Sequence, residues 1–324
     1  MAKSPPPKRN SAKTTSRGSV KTAGARPTKV QAGRPAGLFT WLAVGLVVLV
    51  VAVLVIIKVV GGSSATGNAS FQAADATTVA QLTQLPGTIF DTVGVKSSVV
   101  TVTPPIVLKS QPTLTGTSSA GVKLPEVFYF GAEYCPFCAA ERWSTIVALS
   151  RFGTWSGLGN MQSSTHTGEY APGTPTFTFL KASYKSKYLV FKSVEQYTNV
   201  WSNSIGFYTS LQTPTATELA NFKKYDTTKY IPGITANQNY SIPYISIGNQ
   251  FIVSGASYTP LALANLTRSQ IAAGLSDPTS PITDAIIASA NYQTAALCTI
   301  TKNQPGSVCT SSGVKAAKKV MGLK

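Results

Sequence analysis

Glu126-Val127-Phe128-Tyr129-Phe130-Gly131-Ala132-Glu133-Tyr134-Cys135-Pro136-Phe137-Cys138 decides how the chain folds. Its first half is an aromatic and branched run suited to a buried strand. The residues that follow, Ala139 to Leu149, are good helix formers and set Trp143, Ile146, Val147 and Leu149 at helical spacing. Pro136 fits the first turn of such a helix, where no amide donor is needed. Cys135 is therefore expected at a helix N-terminus directly after a buried strand.

That position carries chemistry. The thiolate is the nucleophile of disulfide exchange, and a helix N-terminus lowers a thiol's pKa by setting partial positive charge and amide donors beside the sulfur. A two-residue spacer brings the second sulfur within reach, so Cys135 is expected to attack and Cys138 to resolve the mixed disulfide. Zinc needs two further ligands, and the single histidine, His166, sits in a Ser/Thr/Gly-rich loop and is read as solvated. Cys298 and Cys309 bracket a segment with Pro305-Gly306, a turn able to bring them together, and are expected to form a structural disulfide.

These residues resemble the thioredoxin superfamily: a strand, Gly131 to Cys138 with proline after the first cysteine, then a helix carrying Trp143. The resemblance implies an α/β thioredoxin-like fold in which Ile242-Pro243 supplies the cis-proline that faces the cysteine pair. Pro243, with Ile242, Pro136 and Phe137, is then expected to contact substrate. The long stretch between Trp143 and Pro243 implies an insertion between the CxxC helix and the cis-proline strand, as in DsbA-type oxidoreductases. The uncharged run Leu38 to Ile57 as anchor, the linker 61–78 and the extended body are together similar to an uncharacterised family of membrane-anchored thioredoxin-like proteins (domain of unknown function 929). The resemblance spans roughly 79–309. The buried acid that thioredoxins carry six residues before the first cysteine is Tyr129 here, which leaves Glu133 as the nearby upstream carboxylate. Glu133 is read either as a solvated surface residue or as a proton relay for Cys138.

The +17 formal charge does not belong to the body of the protein. Nine Lys or Arg and no acid lie in 1–36, and Lys315, Lys318, Lys319 and Lys324 close the chain, whereas all eleven acids fall between Asp75 and Asp284 beside thirteen basic residues. This pattern speaks against a nucleic-acid-binding face. Leu38 to Ile57 is uncharged over twenty residues, enough at about 1.5 Å per residue to span a hydrocarbon core of about 30 Å. The expected organisation is a basic cytoplasmic tail (1–36), one transmembrane helix (37–60), a linker (61–78), an exported domain (79–312) and a basic tail (313–324). The preceding positive charges put the N-terminus inside and the domain outside the cytoplasmic membrane.

Expected strands are Thr176 to Leu180, Tyr188 to Val194, Pro243 to Ile247 and Gln250 to Val253, the last two forming a hairpin at Gly248-Asn249. Thr217 to Tyr225 reads as a helix capped by Thr215 or Thr217, and 260–297 as one or two helices broken near Asp277-Pro278. A strand or hairpin is expected within 79–124. The function expected is a membrane-anchored extracytoplasmic thiol-disulfide oxidoreductase, an oxidase or isomerase that needs no cofactor beyond its redox-active disulfide. Its expected partners are exported cysteine-containing proteins and a membrane quinone-linked thiol oxidase. A non-catalytic binding module with structural disulfides is the alternative.

Overall fold

The computed structural model describes residues 71–97 and 100–324. It is a mixed α/β body. In chain order the elements are β1 (Gln72–Ala73), α1 (Ala76–Thr83), α2 (Gly87–Val93), β2 (Ile106–Val107), β3 (Thr115–Thr117), β4 (Lys123–Gly131), α3 (Pro136–Ser150), β5 (Gly153–Ser156), β6 (Gly159–Gln162), β7 (Pro175–Thr178), β8 (Ser183–Ser186), β9 (Val190–Glu195), β10 (Tyr197–Ser202), β11 (Phe207–Ser210), α4 (Ala216–Tyr225), β12 (Tyr244–Ile247), β13 (Phe251–Ser254), α5 (Arg268–Gly274), α6 (Pro281–Ile300), α7 (Gly306–Cys309) and α8 (Ser312–Val320).

The central sheet is built around β4. One edge of β4 pairs antiparallel with β12, which continues to β13 and β2; the other pairs with β3 over its first residues and runs parallel to β9 from Glu126 to Gly131. A parallel pair needs a crossover, and α3 lies in it. Both faces of β4 are buried, so its alternation distributes side chains between two cores rather than between core and water. Val127 and Tyr129 join the larger core with Trp143, Ile146 and the inner face of α6. Phe128 and Phe130 enter the smaller one with Phe222, Tyr225 and Tyr244, where Phe130 stacks on Phe222 at 4.4 Å.

The segment from α3 to β12 holds, besides β9 and α4, three small antiparallel ladders: β5 with β8, β6 with β7 and β1, and β10 with β11. Trp143 anchors one of them, donating from Nε1 to the Pro175 carbonyl at 2.9 Å while meeting Phe177 edge-on. Helix α6 is the spine of the larger core. Its small and branched residues, Ala285 to Ala290 and Ala295 to Cys298, are buried all round, which lets α3, α2 and α8 approach it closely.

Several local expectations are met and others corrected. The strands at Pro175–Thr178, Val190–Glu195, Tyr244–Ile247 and Phe251–Ser254 and the helix Ala216–Tyr225, closed by a Thr215/Glu218 capping box, lie where patterning put them. The break at Asp277-Pro278 separates α5 from α6. Within 79–124 the expected strand is present as the short β2 and β3, the latter pairing antiparallel with the start of β4, and the unexpected feature is the pair of helices α1 and α2 that precedes them. Asp75 caps α1 by accepting the Thr78 amide at 2.8 Å, and Leu82, Ile89, Phe90 and Val93 bury at helical spacing. The described part of the linker, 71–78, belongs to the body, since β1 pairs with β6. The segment 313–324 is not a free tail either: α8 packs on α6 and α2 with Val314 and Ala317 fully buried and its lysines outward. Their i, i+3 spacing carries that face.

No helix among the described residues is long and apolar enough to cross a membrane. The expected span Leu38 to Ile57 and the basic segment 1–36 lie outside the described residues.

Candidate active site

Cys135 is the N-cap of α3, Pro136 its first residue, and the Cys138 amide donates to Cys135 Sγ at 3.2 Å. The strand delivers the chain to this point because β4 ends at Gly131, between β12 and β9. The Ile242-Pro243 bond is cis, at the entry to β12, and the Cys135 thiol donates to the Ile242 carbonyl at 3.7 Å. Four of the expected residues, Cys135, Cys138, Ile242 and Pro243, therefore meet at the same end of the sheet. Cys135 and Cys138 are unbonded thiols. Cys135 retains 5% of its surface and Cys138 none.

The two thiols are unlike. Burial opposes ionisation of Cys135, but the hydrogen bonds from the Cys138 thiol and amide outweigh it, with Arg142 adding to them, and the pKa falls below the ordinary thiol value. Burial pushes Cys138 far up, and the proximity of Cys135 adds to the rise. One sulfur is ready to ionise while its neighbour holds a proton.

Phe137 differs from the rest of the turn. It is exposed and stacks on exposed Tyr170 at 5.3 Å, so an aromatic pair stands beside the cysteines. On the other flank Tyr134 lies flat on Tyr208 at 4.1 Å, while the Glu133 amide donates to the Tyr197 carbonyl and the Ser164 amide to that of Tyr134. The small ladders thus grip the loop before Cys135 from both sides.

Glu133 is not a solvated residue. It is 4% exposed and accepts the Thr178 hydroxyl at 2.7 Å, and burial lifts its pKa to about 7. His166 is not free in solvent either; its ring lies on that of Trp201 at 3.9 Å. Cys298 and Cys309 are disulfide-bonded with Cα atoms 5.5 Å apart, joining the end of α6 to α7 as a separate feature. Among the described residues no group of three or more His, Cys, Asp or Glu is arranged to hold a metal.

Arg142 and Glu195 escaped the reading of the sequence. Both are fully buried and bonded twice, Arg142 Nε to Glu195 Oε1 at 3.0 Å and Nη2 to Oε2 at 2.6 Å, and Nη2 also donates to the Ala132 carbonyl at 2.8 Å. Glu141 is a second surprise, sealed under the Ser257 amide, the Ser257 hydroxyl and Gln293. A signal was present: Glu141-Arg142 interrupts a helix whose neighbours are otherwise apolar or small, and Arg142 stands four residues after Cys138, on the same helical face.

No curated protein and no solved structure matches the chain. A family model described as a domain of unknown function (DUF929) matches residues 115–299, from β3 to the end of α6. That match takes in both thiols, the cis-proline and the buried ion pair, and by it the chain belongs to the DUF929 family.

Proposed function

We propose that this protein is a membrane-anchored, extracytoplasmic thiol-disulfide oxidoreductase with a thioredoxin-like body, acting on exported cysteine-containing proteins through Cys135 and Cys138. The observation that carries the proposal is the N-cap geometry: Cys135 Sγ accepts the Cys138 amide and lies 3.7 Å from the carbonyl that precedes a cis-proline. The sheet supports the fold reading. In sheet order β9, β4, β12 and β13 run parallel, then antiparallel, then antiparallel, with the cysteines after β4 and the cis-proline before β12. The uncharged run Leu38 to Ile57 and the nine basic residues before it support anchoring with the body outside.

In the reductive direction the Cys135 thiolate attacks one sulfur of a substrate disulfide. A bond forms from Cys135 to substrate, the substrate S–S bond breaks, and the leaving thiolate takes up a proton. Cys138 then gives its proton to Glu133 and its thiolate attacks Cys135 Sγ; the mixed disulfide breaks, the Cys135–Cys138 bond forms, and the second substrate sulfur leaves as a thiolate that takes up the proton Glu133 gives back, so that the substrate departs as a dithiol. Read backwards, the same steps oxidise a substrate dithiol, and a quinone-linked membrane oxidase is the class of partner that would restore the disulfide. Pro136, Phe137, Ile242 and Pro243 are the substrate-facing residues, with Phe137 and Tyr170 offering apolar area to an extended segment.

The test uses the full chain in detergent micelles. Equilibration with glutathione should interconvert the Cys135–Cys138 dithiol and disulfide, Cys138→Ser should accumulate mixed disulfides in the producing cell, and Cys135→Ser should abolish both. A pair that exchanges with neither glutathione nor any protein thiol would overturn the proposal in favour of a binding module.

A further inference from the structure

We infer that the buried Arg142–Glu195 ion pair sets the redox balance of the cysteine pair, with Arg142 as a positioning residue whose cation favours the reduced, thiolate form of Cys135. The inference rests on the exchange chemistry proposed above and goes further by naming what tunes it.

The argument begins with the helix. Residues four and seven apart share a face, so Cys135, Cys138 and Arg142 are aligned along α3. Helical side chains lean toward the N-terminus. Arg142 does so fully: its Nη2 reaches the carbonyl of Ala132, three residues before Cys135, so the guanidinium lies alongside the turn that bears both thiols. Glu195 fixes it there from the end of β9, directly opposite Gly131 at the end of β4. The Phe179 amide donates to the same carboxylate at 3.3 Å, and the Tyr129 ring lies 5.6 Å from the guanidinium carbon. Neither partner has any exposed surface.

Burying such a pair is a poor way to gain stability, because desolvation of two ions can exceed their attraction and apolar residues often do as well. Its position suggests what it does instead. The carboxylate sits on β9 and also takes the Phe179 amide, while the guanidinium reaches the Ala132 carbonyl just ahead of Cys135, so the positive end of the pair is the one on the cysteine turn. With both partners fully buried, that charge is poorly screened. Arg142 Nη1, moreover, is buried with no hydrogen-bond partner, a donor left unused by the pair itself. A cation that favours a thiolate favours the reduced state and makes the disulfide a stronger oxidant.

A purely structural brace between α3 and β9 would make every disruptive substitution act alike. Electrostatic tuning requires opposite signs. The full chain in detergent is equilibrated with glutathione buffers, and Cys135 alkylation is followed against pH. Arg142→Met should raise the alkylation midpoint and make the pair at least tenfold easier to oxidise. Glu195→Gln leaves the cation uncompensated and should lower the midpoint and make the pair at least tenfold harder to oxidise. Arg142→Lys keeps the charge and should stay within threefold of the native protein. Arg142→Met/Glu195→Met replaces the pair by apolar volume, so it reports the Arg142→Met direction even if the single variant does not fold. Shifts of the same sign for Arg142→Met and Glu195→Gln, or folded forms of these two variants less than tenfold from native, overturn the inference while leaving the exchange activity standing. A native pair that never equilibrates with glutathione overturns the exchange reading and this inference with it.

Discussion

Glu133 Oε1 accepts the Thr178 hydroxyl at 2.7 Å at the end of β7, which holds the carboxyl two residues before Cys135 in the chain. Burial, opposed by that hydrogen bond, lifts its pKa to about 7, which suits a group that must take a proton and return it near neutrality. Resolution of the mixed disulfide by Cys138 should therefore speed up as pH rises through about 7. Glu133→Gln should flatten that rise and slow resolution at pH 8 by roughly 10²-fold, within the usual range for a general base. Stopped-flow release of a thiol from a Cys135-linked mixed disulfide measures it; an unchanged pH profile in the variant would remove Glu133 from the mechanism.

The same linkage reaches stability through Glu141, whose pKa burial also raises to about 7 against the pull of the Ser257 donors. The folded carboxyl binds its proton more tightly than the unfolded one, whose ordinary value is 4.5. Stability from this group is present below about 4.5 and is lost as pH rises from there through about 7. Denaturant midpoints should accordingly fall between pH 5 and pH 7.5, and Glu141→Gln should shrink that fall. A midpoint that climbs over this interval in the native chain, and equally in the variant, contradicts the assignment.

How far the sequence disclosed this arrangement depends on whether chemistry or packing wrote the signal. The turn Cys135 to Cys138 was legible because proline, helix periodicity and a buried strand all lie within one continuous segment. Pro243 was reached by resemblance alone; nothing local in Ser241-Ile242-Pro243 announces that 107 residues of separation close to 3.7 Å. Arg142 and Glu195 are 53 positions apart, and no periodicity links a helix residue to the end of a parallel strand that follows four intervening short strands. The lysines of α8 were misread as a tail for a different reason. Charge dominates composition there, while the apolar face that buries against α6 and α2 is short, with Gly313, Val314 and Ala317 fully covered and Met321 and Leu323 only partly.

Tyr129 gives a prediction of unusual sign. Its hydroxyl is buried without a hydrogen-bond partner, and burial holds its pKa well above the ordinary phenol value. Removing an unsatisfied buried polar atom gains back its desolvation cost, typically about 1 kcal/mol or more. Tyr129→Phe should leave stability unchanged or raise it by about 1 kcal/mol, read as a higher urea midpoint. The neighbouring Gly131 argues the converse, because a Cβ there would overlap the Tyr129 hydroxyl and ring. Gly131→Ala should cost about 1–3 kcal/mol as an overpacked core does, with Tyr129→Phe restoring only part of it, since the ring carbons are met as well as the oxygen.

The Cys298–Cys309 bond sits at the far end of α6 from Pro281 and outside the cysteine turn, so its removal should separate stability from chemistry. Cys298 and Cys309 are both buried, and α8, which leaves directly from Cys309, covers α6 and α2. Closing a short loop in the unfolded chain contributes about 3 kcal/mol in the entropy model. Cys298→Ala/Cys309→Ala should lower unfolding free energy by about that amount, and hydrogen exchange should rise first in α7 and α8. Equilibration of Cys135 and Cys138 with glutathione should stay within twofold of native at 25 °C, because α3 is held by β7, α6 and the Arg142–Glu195 pair rather than by the disulfide. A loss of exchange at a temperature where the double variant remains folded would instead make the second pair an electron relay for the first.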